Sequence, residues 1–176
     1  AVGRWDGAVA LCDASAGGAG GAQVVDAATA GAPVLAVAFD ATDENVYACG
    51  ADGGVRVISA GSEAAEATEL GAHGDAASCV APLVDAPSSG AVSGGWDGRL
   101  KLWDARHRGE ADQCSLPGGG RALSIDSSRG GAQALLAVAA SDRRLLTFDA
   151  RALGAGPLSE RASPLKMATR SVRMLG

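Results

Sequence analysis

Apolar and polar residues alternate along short stretches of this chain, and each stretch ends at a turn. Leu100-Lys101-Leu102-Trp103 alternates apolar and polar and stops at Asp104. Before it stands the apolar run Ala91-Val92-Ser93, and Asp97-Gly98 between them reads as a tight turn. A period of two is that of a strand with one side to each neighbour, so 94–105 (GGWDGRLKLWDA) is predicted as a short hairpin inside a sheet. Three runs elsewhere have the same form: GRWDGAVALCDA at 3–14, GADGGVRVISA at 50–60 and ASDRRLLTFDA at 140–150.

The phase of this repeat holds along the whole chain. The turn aspartates Asp6, Asp52, Asp97 and Asp142 are separated by 46, 45 and 45 residues, and Cys12, Ile58, Trp103 and Phe148 keep the same spacings. A unit of about 45 residues built from short alternating strands is the signature of a WD-repeat β-propeller blade. The predicted fold is therefore all-β, a WD40 propeller. Parts of two blades and three whole ones can be counted. A seven-blade ring needs roughly 315 residues at this repeat length, so about half the ring is expected here, as part of a longer chain.

The expected blocks are 1–12 (end of blade one), 33–60 (blade two), 71–105 (blade three), 121–150 (blade four) and 163–176 (start of blade five). Inner strands are predicted at Val34–Phe39, Ser78–Leu83, Ala122–Ile125 and Val172–Leu175. Ala8–Cys12 is expected as the outer strand of blade one, followed by a Gly- and Ala-rich loop from Asp13 to Ala32 that is most flexible at Gly17–Gly21. Gly61–Leu70 is expected to carry the outer edge of blade two, with Glu63, Glu66 and Glu69 on a solvated connection. Gly118-Gly119-Gly120 lacks the Gly-Lys-Ser/Thr of a phosphate loop, and no helix is expected there.

Composition narrows the function classes. Of the 176 residues 47% are hydrophobic, which suffices for a real core, but only 3% are aromatic. Ala and Gly stand where stronger strand formers would be usual, and compositional drift explains that. The net charge of −5 without a basic block disfavours general binding to nucleic acid. Cys12, Cys49, Cys79 and Cys114 form no CxxC pair, and His73 and His107 are the histidines, so no metal site is expected. The first three cysteines read as small buried hydrophobes in strands, fitting a reducing compartment. No run is long enough to insert into a membrane, and no cofactor is implied.

Four residues complete the repeat's polar signature: His73, Ser93, Asp97 and Trp103. They are expected to form a buried network tying the outer strands to the inner one. Ser93 would then be a satisfied partner rather than a nucleophile, so no catalytic residue is assigned. The other blades lack the matching His and are expected to rely on apolar packing. Trp5 and Trp96 precede turn aspartates where the repeat requires no Trp. Each either covers its own turn or anchors a partner at one face of the ring. Arg161, Lys166, Arg170 and Arg173 are either ordinary surface charge or cations entering the channel to meet a partner's carboxylates. The aromatic-Asp-Ala-Arg strings at 103–106 and 148–151 resemble the WDxR box of WD-repeat substrate receptors in cullin-type ubiquitin ligases.

The segments at 3–14, 31–39 (GAPVLAVAF), 92–106 (VSGGWDGRLKLWDAR), 145–151 (LLTFDAR) and above all 163–173 (SPLKMATRSVR) resemble the mitotic-checkpoint WD-repeat family of the budding-uninhibited-by-benzimidazole type. The nucleoporin-binding mRNA export factor is a close relative of that family. The resemblance implies a non-enzymatic adaptor in the nucleus and at the kinetochore, with the cytoplasm as an alternative. Its implied partner is a checkpoint kinase or scaffold protein, docked through a short acidic helical segment over Trp5 and Trp96, with Arg170 in the channel. A nucleoporin is the alternative partner. Met167 replaces the family's usual aromatic. The acidic balance favours the checkpoint branch.

Overall fold

The computed structural model describes residues 1–12, 24–28, 32–60, 67–83, 90–128 and 134–174, with backbone alone for Cys12 and 24–28. Among the described residues fifteen strands form four antiparallel sheets. The first holds β1 (Val2–Gly3), β2 (Ala8–Cys12) and β3 (Val24–Ala28). The second holds β4 (Val34–Phe39), β5 (Asn45–Gly50), β6 (Gly54–Ser59) and β7 (Ala67–Ala72). The third holds β8 (Ala77–Leu83), β9 (Gly90–Gly95), β10 (Arg99–Asp104) and β11 (Gly109–Ser115). The fourth holds β12 (Ala122–Ser127), β13 (Leu135–Ala140), β14 (Arg144–Asp149) and β15 (Ser159–Ala162). Within each sheet the strands follow one another in chain order, which is the up-and-down arrangement of a propeller blade.

The period of two is what stacks these sheets. In β5, Val46 and Ala48 face the first sheet beside Val9 and Leu11, while Tyr47 and Cys49 face the third beside Val80 and Trp103. In β9, Ala91 joins the cluster between the second and third sheets, and its neighbour Val92 joins the one between the third and fourth. Each of these two strands therefore contributes to two cores, one on either side. Some of the small residues are required by this stacking rather than by composition alone. A Cβ at Gly94 would overlap Ala122 Cβ and lie 2.9 Å from Cys79 Sγ. Serine hydroxyls add links between blades: Ser78 donates to Ala122 O and Ser127 to Pro82 O, both at 2.6 Å.

The structure differs from the expected elements at the blade edges. Ala8–Cys12 is not the outer strand of blade one. Val24–Ala28, expected as loop, pairs with it in a register from Ala8↔Ala28 to Cys12↔Val24. The span 17–21, like Glu63 and Glu66, lies outside the described residues. Glu69 lies in β7. The outer strands β7, β11 and β15 extend past the expected blocks, and Gly71-Ala72 ends β7 instead of opening blade three. Pro117–Gly119 forms a single 3-10 turn with Gly118 and Gly119 at φ +71° and +69°.

Residues 172–174 form no ladder strand. They run beside β12, where Val172 N–H donates to Ser124 Oγ at 3.1 Å and Met174 N–H to Asp126 Oδ2 at 2.7 Å. An inner strand finds its ladder partner in its own blade, and among the described residues none pairs with this one. Leu175 lies outside them.

Candidate functional site

The turn between the second and third strands of each blade is built the same way four times. The aspartate side chain accepts the N–H two residues on: Ala8 to Asp6 at 3.1 Å, Gly54 to Asp52 at 3.0 Å, Arg99 to Asp97 at 3.1 Å and Arg144 to Asp142 at 3.2 Å. The residue after the aspartate is left-handed, with φ of +88° at Gly7, +81° at Gly53, +74° at Gly98 and +68° at Arg143. Glycine takes that conformation freely and arginine at a cost.

Each aspartate also meets a cationic or imidazole side chain, and here the blades diverge. Arg4 reaches Asp6 at 2.7 Å, and Arg144 reaches Asp142 at 2.9 Å and Glu160 at 2.9 Å. In blade two the buried Arg56 binds Asp52 with both terminal nitrogens, at 2.6 and 3.3 Å, with Glu69 3.7 Å away. The blades without the histidine are expected to be held more by apolar packing; charge pairs hold their turns as well.

In blade three the four signature residues come together. His73 Nδ1 lies 3.1 and 3.2 Å from the two Asp97 oxygens, and His73 Nε2 lies 2.7 Å from Ser93 Oγ. Trp103 Nε1–H donates to Ser93 Oγ at 2.7 Å. An ionised carboxylate only accepts, so Nδ1 carries the proton. Nε2 of the neutral ring then accepts from the Ser93 hydroxyl, whose oxygen accepts from the indole. Every polar side-chain atom of this four-residue network has a partner. Burial lowers the His73 pKa below its ordinary value and outweighs the opposing pull of Asp97. Burial also opposes ionisation of Asp97, but the Gly74 N–H, His73 and the Arg99 N–H outweigh it and hold the carboxyl below its usual range. Ser93 is 0% exposed, so no substrate can reach its hydroxyl. Gly95 is part of the fit, since a Cβ there would overlap both His73 and Asp97.

In blades two, three and four the turn residue before the aspartate is fixed in place by its backbone. Trp96 N–H donates to Ala76 O at 2.8 Å, Ala51 N–H to Pro33 O at 2.9 Å and Ser141 N–H to Arg121 O at 2.9 Å. These bonds join the turns to the residues just before the inner strands, so the side chains at these positions belong to one face of the blade array. Trp5 is 80% exposed and Trp96 41%. They stand on blades one and three and are presented around the same face rather than in one pocket. Trp96 is partly covered by Arg121, whose guanidinium lies 5.2 Å from the ring centroid. Sequence reading missed Arg121, because nothing in its neighbourhood along the chain points to Trp96.

Arg170 is exposed, in the segment leading from β15 to the residues beside β12. That segment starts on the turn face, where Ser163 N–H donates to Arg143 O at 2.7 Å. Arg161 and Lys166 are exposed too. Arg173 takes a different place. It lines a cleft of about 630 Å³ along the inner strands, with Val37, Val80, Ile125, Asp40, Asp43 and Asp126. Of the two aromatic-Asp-Ala-Arg strings, that in blade three has Asp104 accepting from Arg106 N–H at 2.8 Å and contacting His107 Nδ1 at 2.8 Å, with Arg106 exposed.

Among the described residues no group of three or more His, Cys, Asp or Glu could hold a metal ion. Cys49 and Cys79 are buried and free, and burial pushes the Cys79 thiol up to about 12, so they serve as core residues.

The WD domain, G-beta repeat model matches residues 24–59 and 65–104. Mitotic checkpoint protein bub-3 of Caenorhabditis elegans is 34% identical over 148 residues, covering 82% of this chain and 39% of that protein. The chain thus spans about two-fifths of that relative's length. WD40 repeats of this kind are a scaffold class without chemistry of their own. With four sheets of the repeat's form, its turn aspartates and its buried His-Ser-Trp network, the chain is a WD40-repeat protein homologous to the mitotic-checkpoint protein bub-3.

Proposed function

We propose that this protein is a non-enzymatic adaptor of the mitotic spindle checkpoint, acting in the nucleus and at the kinetochore as part of a seven-blade ring. Its partner is a checkpoint kinase or kinetochore scaffold, which it holds through a short acidic helical segment. The segment docks over the face that carries Trp5, Trp96 and Arg170. The observation that carries this reading is the pair of exposed tryptophans at one repeat position, where neither the turn nor the core needs an aromatic. Burying such rings is the common anchor of a protein interface. Arg170, exposed and without a carboxylate partner among the described residues, suits an acidic segment. Homology to bub-3 supports the checkpoint branch over other scaffold roles.

Calorimetric titration of the full-length protein tests this. The ligands are the docking segment of a checkpoint kinase and the equivalent nucleoporin segment, against wild type and Arg170→Glu. Binding of the kinase segment that is lost in the variant is the expected result. Preference for the nucleoporin segment would move the protein to mRNA export. Failure of a folded protein to bind either would overturn the docking reading, and the blade-three WDAR string would be tested next against a cullin adaptor.

A further inference from the structure

The two face tryptophans occupy one repeat position but differ twofold in exposure, 80% for Trp5 against 41% for Trp96. Arg121 accounts for the cover, with its guanidinium 5.2 Å from the Trp96 ring centroid. Its backbone is clamped on both sides by blade four: Arg121 N–H donates to Ser141 Oγ at 3.0 Å, and Arg121 O accepts from Ser141 N–H at 2.9 Å. Ser141 holds the repeat position that Trp96 holds in blade three, so Arg121 spans two consecutive turns of the face.

Contact with an aromatic face draws on the ring's π-electrons and leaves the guanidinium's N–H donors free for other partners. Those of Arg121 have no acceptor among the described residues. The turn carboxylate nearest in sequence to Trp96, Asp97, is already taken up by His73, Gly74 N–H and Arg99 N–H. Arg56 and Arg144 differ, since Asp52 and Asp142 occupy their guanidinium groups. Arg121 is thus an oriented, uncompensated cation beside an exposed ring, and its complement is a carboxylate next to an apolar side chain.

We propose that Trp96 and Arg121 form a composite subsite that takes an acidic residue of the docking partner, distinct from the acid met by Arg170. This rests on the docking reading above. The two cations stand at different blades. Arg121 lies directly before β12, whereas Arg170 lies in the segment that runs on to Val172 and Met174, which bond to Ser124 and Asp126 of β12. Two guanidinium groups on different segments read two carboxylates, so the partner needs a pair of acidic positions and not one.

The test is charge-reversal rescue on the full-length protein. The probe is the kinase docking segment, made with each Asp or Glu in turn replaced by Lys. Arg121→Gln is expected to weaken binding of the unaltered segment roughly fivefold, and Arg121→Glu tenfold or more, with unchanged melting temperatures. One Lys-substituted segment should restore binding to Arg121→Glu, and a different one to Arg170→Glu. Unaltered affinity in both Arg121 variants, with binding lost in Arg170→Glu, would overturn the subsite and leave the docking reading standing. Rescue of both variants by the same substitution would also overturn it. No binding by the wild type would overturn the docking reading and the subsite with it.

Discussion

Blades two and three solve one structural problem with different chemistry. In both, a turn aspartate must be held against the sheet. Blade three uses a neutral histidine whose far nitrogen is satisfied by Ser93 and, through it, by Trp103. Blade two uses Arg56, a permanent charge taken almost wholly out of water and matched by Asp52 and Glu69. The first arrangement buries hydrogen bonds with one charge at the rim; the second buries an ion pair, which is sound only while both partners remain. Their failure modes should therefore differ.

The largest effect is expected at Trp103, which fills the space between blades two and three and anchors the network. Trp103→Ala should lower unfolding free energy by about 3–5 kcal/mol in a denaturant titration. Charge removal at the turns should separate the blades. Asp52→Asn strands the Arg56 charge and should cost about 2–3 kcal/mol, while Asp97→Asn keeps an acceptor for Gly74 N–H and should cost about 1–2 kcal/mol. Equal losses would break the contrast.

Acidity should sharpen the comparison further. Burial depresses the folded pKa of His73, so the unfolded chain takes up a proton near 6.5 while the folded one resists it. The His73 contribution is then complete above about pH 6.5 and declines as pH falls below it. Asp52, whose hydrogen bonds from Arg56 lower its pKa despite opposing burial, keeps its contribution until pH drops below the usual carboxylate value. Melting temperatures from pH 7.5 to 5 should fall for wild type and fall less for His73→Gln. The smallest effect concerns the fourth turn, where Arg143 is left-handed at φ +68°. Arg143→Gly should stabilise by about 0.5–1 kcal/mol, because the three matching turns use glycine there.

These comparisons also show what the chain states openly. The turn aspartates and the period of two are local signals, and they placed the inner three strands of blades two, three and four. The outer strands of blades three and four escaped because water reaches them: Ser159–Ala162 is exposed at all four residues and Gly109–Ser115 at four of seven, so neither carries a continuous apolar face to read. The partners of the turn aspartates were hidden for another reason. They come from two residues before (Arg4), four after (Arg56), two after (Arg144) or the previous connection (His73), so no single spacing reveals them. Arg121 is legible only once blade four is folded against blade three.

The most direct test of the central claim removes both face anchors. Trp5→Ala and Trp96→Ala together take away exposed rings outside the core, so the melting temperature should stay within a few degrees of wild type. Affinity for the checkpoint-kinase docking segment should fall by roughly 100-fold or more, as expected for two aromatic hot spots. Full affinity in that double variant would contradict the assignment of this face as the docking surface.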